Sequence, residues 1–346
     1  MLVANEARAS MRTSSQDAGS LDTEPIVVGF VNNMPDAALR TTERQFRELL
    51  SAASWNLAVC LRFFSLPDLP RSEAGRLHLS QNYEDIRELS STHLDGLIVT
   101  GTEPRASALP DEPYWGSLVK LIEWAEGHTS STVWSCLAAH AAVLQNDGIG
   151  RRLLGKKLSG VFDCVKVTDH PILAGVASQW RVPHSRHNEV PEEELVAKGY
   201  CILSRSAEAG ADIFVKQTKN LSIFVQGHPE YDPEALLREY RRDIGRFLSG
   251  ERDNYPEMPR GYFDAGMAAA LSGFQTEASR KRNIDLLSRF PAGQGEGRLD
   301  HPWRTPAVRI YANWLSYLAE RKFRDHWSGE GVHNSARSYR EPNRNA

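Results

Sequence analysis

The sequence predicts an α/β protein, with a mostly parallel sheet flanked by helices. Two observations carry this. Short apolar, β-rich runs recur along the first half of the chain, and stretches of helical period separate them. That alternation is the pattern of a sheet covered by helices.

Each element follows from its residues. IVVGFVN (26–32) reads as a buried strand. TTERQFRELLSAA (41–53) sets Phe46, Leu49 and Leu50 on one helical face with charges opposite. LAVCLRFF (57–64) and GLIVTG (96–101) are the next strands, the latter ending on glycine. PYWGSLVKLIEWAEG (113–127) is an amphipathic helix that Gly127 is expected to close. STVWSC (131–136) is a fourth strand, and LAAHAAVLQNDG (137–148) a small-residue helix ending on glycine. The second half is richer in strands: GVFDCVKV (160–167), GYCILSRS (199–206), ADIFVKQ (211–217) and LSIFVQG (221–227). The last two flank a polar TKN turn and read as a hairpin. PEALLREYRRDIGRFL (233–248) is a helix with proline near its start. A helical patch is expected within 265–289, and PAVRIYANWLSYLAERK (306–322) is the final helix.

The 346-residue length would allow two domains. No repeat or clean linker divides the chain, so a single elaborated domain over 25–327 is expected, with an insertion at 256–300. Residues 1–24 and 328–346 read as loose tails. With 41 Lys+Arg against 44 Asp+Glu, the charge balance argues against a dedicated nucleic-acid binder. No apolar run approaches the ~20 residues of a membrane span. The cysteines at 60, 136, 164 and 201 form no CxxC pair, and a reducing cytoplasm is the expected location. The start of the chain has no apolar signal-peptide core.

Four segments carry candidate chemistry. Cys136 ends a strand and opens a helix, the turn that presents a nucleophile at a sheet's carboxyl edge. The helix N-terminus favours a thiolate and offers N–H groups to an oxyanion. Taken alone, Cys136 reads equally well as a buried structural thiol. FVQGHPEYD (224–232) supplies His228 and Glu230 at another strand's end, a base and an orienting carboxylate. HxE is a weak signal that gains weight only beside Cys136. VPHSRHNEV (182–190) holds His184 and His187, but no third metal ligand stands out, so no metal is expected. Ser185 and Arg186 suit a small polar substrate instead. EYRRD (239–243) carries Arg241 and Arg242, each of which alone reads as part of a solvated face.

Together these segments resemble the homoserine O-acyltransferases of the class I glutamine-amidotransferase-like type, the homoserine O-succinyltransferases, some of which use acetyl-CoA. NNMPDAALRTTERQF resembles that family's N-x-M-P … T-E-x-Q-F opening. DGLIVTG with the following YW, STVWSC, KLSGVF, PHSRHNEV, FVQGHPEYD, EYRRD and WRTPAVRIYANWLSYL follow in the family's order. The resemblance implies a flavodoxin-like fold with a C-terminal helical extension. It implies ping-pong acyl transfer in methionine biosynthesis: an acyl-thioester on Cys136, His228 as base and Glu230 as its orienter. Lys157, Ser185 and Arg242 match substrate-binding positions, and the Leu137 backbone N–H would serve the oxyanion. The implied partners are succinyl-CoA or acetyl-CoA as co-substrate and L-homoserine, with no resident cofactor; a homodimer is suggested by resemblance alone.

The chain departs from the family pattern. TGTEPRA puts Arg105 where the family carries a residue linked to acyl choice. An arginine there would complement a succinyl carboxylate, so succinyl-CoA is favoured. Leu137 replaces a tryptophan. Asp36, Ala37 and Ala38 stand where the family has lysines, with Arg40 the nearby cation. These changes keep open an acceptor such as serine or another hydroxy amino acid. A glutaminase-type amidotransferase with the same triad, or a non-catalytic binding protein that keeps the fold, are further alternatives.

Overall fold

The computed structural model describes residues 2–3, 24–291 and 300–334, with side chains for 24–291 and 300–324. Its strands are β1 (Leu2–Val3), β2 (Ile26–Val31), β3 (Val59–Phe64), β4 (Gly96–Val99), β5 (Ser131–Ser135), β6 (Arg152–Lys166), β7 (Gln179–Glu189), β8 (Cys201–Ser206), β9 (Gly210–Gln217) and β10 (Leu221–Val225). They form one sheet in the order β1-β3-β2-β4-β5-β10-β9-β8-β6-β7. From β1 to β10 in that order the strands run parallel. From β10 to β7 they pair antiparallel.

Within the parallel half, β3-β2-β4-β5-β10 has the 2-1-3-4-5 order of flavodoxin-like folds. The order reverses between β2 and β4, so the crevice beyond the carboxyl ends of these strands is where a ligand is expected. Two buried asparagines tie the crevice floor together. Asn33 donates its backbone N–H to Thr100 Oγ1 (2.8 Å) and its amide to Thr100 O (3.2 Å). Asn32 holds Leu39 O at 3.0 Å. The loops after β2 and β4 are thereby held to each other and to the helix that follows.

The helices are α1 (Asp36–Ala53), α2 (Glu73–Asn82), α3 (Trp115–His128), α4 (Leu137–Asp147), α5 (Glu192–Ala197), α6 (Ala235–Leu248), α7 (Ala265–Lys281) and α8 (Arg304–Asn334). One core joins Val28 and Phe30 to Phe46, Leu49 and Leu50 of α1 and to Trp314, Leu315 and Leu318 of α8. The other joins Val31, Val99 and Trp134 to Leu118, Leu121 and Ile122 of α3 and to the alanines of α4. Alternate residues of β2 thus feed opposite cores, as the period of two requires. Among the described residues, no helix is long and apolar enough to cross a membrane.

Several expectations need correction. Gly127 does not close α3; the helix runs to His128 and Thr129 caps it. PHSRH, treated only as a site motif, lies in β7, paired with β6. Leu2–Val3 form a short strand, and α8 continues to Asn334, both within segments read as tails. Residues 4–23, 292–299 and 335–346 of those tails and of the insertion lie outside the described residues.

The segment after residue 256 has a definite place. Met267, Leu271, Phe274, Leu286 and Phe290 pack on Tyr240, Ile244 and Phe247 of α6. The apolar face of α6 is therefore buried against this added layer. Its polar face, with Glu239, Arg242, Asp243 and Arg246 at helical spacing, is turned towards the crevice. Leu271 is fully buried in that contact. Leu271→Ala is expected to destabilise the protein by about 2–5 kcal/mol, read as a lower urea midpoint with an unchanged m-value.

Candidate active site

Cys136 stands between β5 and α4 with φ 52° and ψ −114°. A non-glycine residue in this region costs on the order of 1–3 kcal/mol and persists only where the surroundings impose it. Its N–H donates to Val225 O at the end of β10 (2.7 Å), while its carbonyl accepts the Ala139 N–H of α4 (3.0 Å). The residue is pinned on both sides, and its thiol is carried out to the carboxyl edge of the sheet. A Cβ on Gly101 would stand 2.9 Å from both Leu137 N and Leu137 Cβ. Only glycine lets the loop after β4 pass this close to the first N–H of α4.

His228 follows β10 in the neighbouring position on the same edge. Its Nδ1 pairs with Glu230 Oε1 at 2.8 Å, which leaves Nε2 for the Cys136 side chain, whose charge acts on the ring. The Tyr231 ring stacks on the imidazole at 4.2 Å. Burial alone would lower the His228 pKa. The opposing charges of Glu230 and Cys136 outweigh it and hold the imidazole well above its ordinary value. Trp303 Nε1 donates to Tyr231 O (2.8 Å), so the tryptophan at the start of α8 fixes the turn that carries the pair.

A second layer supports that turn from below. His228 N–H donates to Pro183 O of β7 (2.8 Å). A Cβ on Gly227 would fall 2.7 Å from Asp212 Oδ1 and 2.5 Å from Val182 Cγ1. Asp212 is fully buried; burial raises its carboxyl to about 6, against hydrogen bonds from Ser204 and the Gly227 backbone. Cys164, His184 and Asp212 bring their ligand-type atoms within 4.8 Å of one another. Sequence reasoning weighed His184 with His187 and found no third partner. The actual neighbours come from β6 and β9, which spacing along the chain cannot reveal. Arg186, buried and bonded to Asn188 O (2.7 Å) and Ala209 O, sets a positive charge beside Asp212. Its guanidinium is thus held by the protein itself, although the expectation from PHSR was a role towards substrate.

The triad opens on a cavity of about 510 Å³, ordinary for a small-molecule site. Leu137, Lys157, Ser185 and Arg242 line it together with Cys136, His228 and Glu230. Arg105 does not. Its side chain is exposed, because the Glu112 carboxylate takes the backbone N–H groups of Arg105 and Ala106 (2.6 and 2.8 Å) and turns this stretch away. Glu103 and Pro104 of the same loop line the cavity instead. Arg105 thus stands outside the cavity lining, next to the residues that form it.

Glu239 is the residue that sequence reasoning passed over inside its own motif. Ser185 Oγ and Tyr231 OH both donate to it, and Lys157 Nζ lies 3.4 Å away. Burial would raise its pKa, but Lys157 and these hydroxyls keep it below the usual range. Lys157 also meets Asp243 at 2.8 Å. Arg242 shares Asp243 at 3.2 Å. The cavity wall is thus a set of held charges, with a carboxylate and a guanidinium both available to a small zwitterion. The polar stripe 239, 242, 243 and 246, opposite an apolar face, was the signal that would have found it.

Because the His228 pKa is raised in the folded state, its contribution to stability is fully present below the unfolded value near 6.5. It is lost as pH rises through the folded value. Glu230→Gln removes one of the charges responsible. The variant's melting temperature is expected to fall further below that of the parent at pH 6 than at pH 9. Imidazole NMR titration should place His228 lower in the variant.

The chain has clear relatives. A family model described as homoserine O-succinyltransferase matches residues 3–323. A homoserine O-succinyltransferase of Rhodopseudomonas palustris is 49% identical over 299 residues, covering 85% of this chain and 88% of that one. One of Bradyrhizobium japonicum is 46% identical over 305 residues, covering 88% and 93%. Among solved structures, a glutamine amidotransferase of Thermotoga maritima overlays at a TM-score of 0.45 and 12% identity, covering 86% of this chain and 99% of that one. That likeness is too loose to bear on the chemistry. The family match spans Cys136, the HPEYD turn and most of the closing helix, and the chain belongs to the homoserine O-succinyltransferase family.

Proposed function

We propose that the protein transfers a succinyl group from succinyl-CoA to the hydroxyl of L-homoserine through a thioester on Cys136. The observation that carries this reading is the Cys136–His228–Glu230 array opening on a cavity whose wall holds Glu239 and Arg242 side by side. In the first half, the Cys136 sulfur adds to the thioester carbonyl. The oxygen that gains charge faces the Leu137 N–H at the start of α4, where the helix terminus favours an anion. The intermediate collapses with loss of CoA, whose sulfur takes the proton held by His228. One thioester replaces another, so the step is nearly balanced in energy.

In the second half, homoserine enters the emptied site. Arg242 receives its carboxylate, and Glu239 with Ser185 receives its ammonium group. His228 Nε2 accepts the hydroxyl proton as that oxygen attacks the acyl carbonyl. The ester forms and Cys136 leaves as the thiolate, back in its pair with the imidazolium. Glu230 keeps the ring oriented and balances its charge in both halves. The chemistry draws on no resident cofactor. Acetyl-CoA is the alternative donor, and the O-ester belongs to methionine biosynthesis by the resemblance described above.

Intact-mass spectrometry after mixing with succinyl-CoA is expected to find one succinyl group on the protein, absent in Cys136→Ala and discharged by homoserine. Failure of any acyl-CoA to load Cys136, together with glutamine-dependent ammonia release, would instead favour a glutaminase. Arg242→Gln is expected to raise the homoserine KM at least tenfold while leaving Cys136 able to load, because the α-carboxylate then lacks its bidentate partner.

A further inference from the structure

The cations around the cavity differ in what holds them. Arg151 and Arg186 are bonded to backbone carbonyls, of Ser107 and of Asn188 and Ala209. Lys157, Arg242 and Arg252 converge on the buried Asp243, at 2.8, 3.2 and 3.4 Å. That carboxylate is buried and answers all three cations at once. Arg246 is different. It lies one helical turn beyond Arg242 and faces Glu103 in a forked pair, Nη1 to Oε1 at 2.5 Å and Nη2 to Oε2 at 3.0 Å. Asp243 is more distant, at 3.9 Å. Glu103 belongs to the loop after β4, and its side chain is 46% exposed. Both members line the catalytic cavity.

We propose that Arg246 is the acceptor for the distal carboxylate of a dicarboxylic acyl donor, and that Glu103 occupies this fork as a stand-in which yields to it. The inference rests on the acyl-transfer reading above and adds the residue that selects the donor. The forked geometry already fits a planar carboxylate on the cavity side of α6. Exchanging one carboxylate for another leaves the charge of the wall unchanged, so a succinyl group brings no uncompensated anion into the site. A neutral acyl group has nothing to exchange and leaves the pair closed. An ion pair this exposed contributes little to stability, so Glu103 can leave without unfolding its loop. The hydrogen bonds from Arg246 hold Glu103 ionised, below the usual carboxylate range. This places donor choice on α6 and the 101–104 loop, with Arg105 outside the cavity.

The test is the rate at which Cys136 is loaded by succinyl-CoA relative to a neutral donor, acetyl-CoA or butyryl-CoA, followed by intact mass. In Arg246→Gln that ratio is expected to fall at least tenfold. In Glu103→Gln, which leaves the guanidinium free, the ratio is expected to rise. Loading by the neutral donor reports that each variant is folded. An unmoved ratio in Arg246→Gln overturns the proposal, as does a fall in Glu103→Gln that matches it. Absence of any adduct on Cys136 in the unaltered protein overturns the acyl-transfer reading itself, and is told apart by occurring before any substitution.

Discussion

The backbone at Cys136 is the constraint on which the site depends. A positive φ at a side-chain-bearing residue is unfavourable, and it survives here because two strands and a helix impose it. Val225 O takes the Cys136 N–H, α4 begins on its carbonyl, and Gly101 leaves room for the Leu137 N–H. The same three contacts present the thiol, start the helix that favours an anion, and bring the 101–104 loop against it. Relaxing any one of them would move the sulfur relative to His228, which is fixed independently by Pro183 O and Tyr231.

The polar wall opposite depends on a second constraint, the two-sided helix α6. One side carries Tyr240, Ile244 and Phe247, and needs an apolar partner. The segment after residue 256 provides it. The other side can then hold Glu239 and Asp243 away from water while Lys157, Arg242 and Arg252 answer their charges. Buried carboxylates are tolerated only with such partners, and removing a partner exposes the full cost of burying the other. The added layer thus keeps in place the helix that bears the cavity-facing charges, and none of its described residues lines the cavity.

Much of the fold was legible from the sequence because it is local. The amphipathic spacing of 41–53 and 233–248 marks helices wherever they pack, and the TKN hairpin is set by its turn. Gly148, in the left-handed region, closes α4 as its position after a small-residue helix suggests. What escaped was long-range. PHSRH has four consecutive polar residues, so no alternation of apolar and polar positions marks it, and only the pairing with β6 makes it a strand. Arg105 stood at a position linked with acyl choice, yet Glu112, seven residues on, turns its backbone away.

The sequence by itself singled out Cys136, His228 and Glu230 as candidate nucleophile, base and orienting acid, because each sits at the junction of a strand with a turn or helix, and such junctions are written locally. It also offered Lys157, Ser185 and Arg242 as candidates by their resemblance to a family motif. Tertiary structure alone decided that these residues, from five separate elements, share one cavity. It alone decided which charges are neutralised within the protein and which face a ligand. Arg186 and Arg246 cannot be ranked from sequence, since the partners that hold them, Ala209 and Glu103, are distant along the chain. Arg186 is held by fixed backbone carbonyls and Arg246 by a carboxylate on an exposed loop. That is a property of packing, not of residue type.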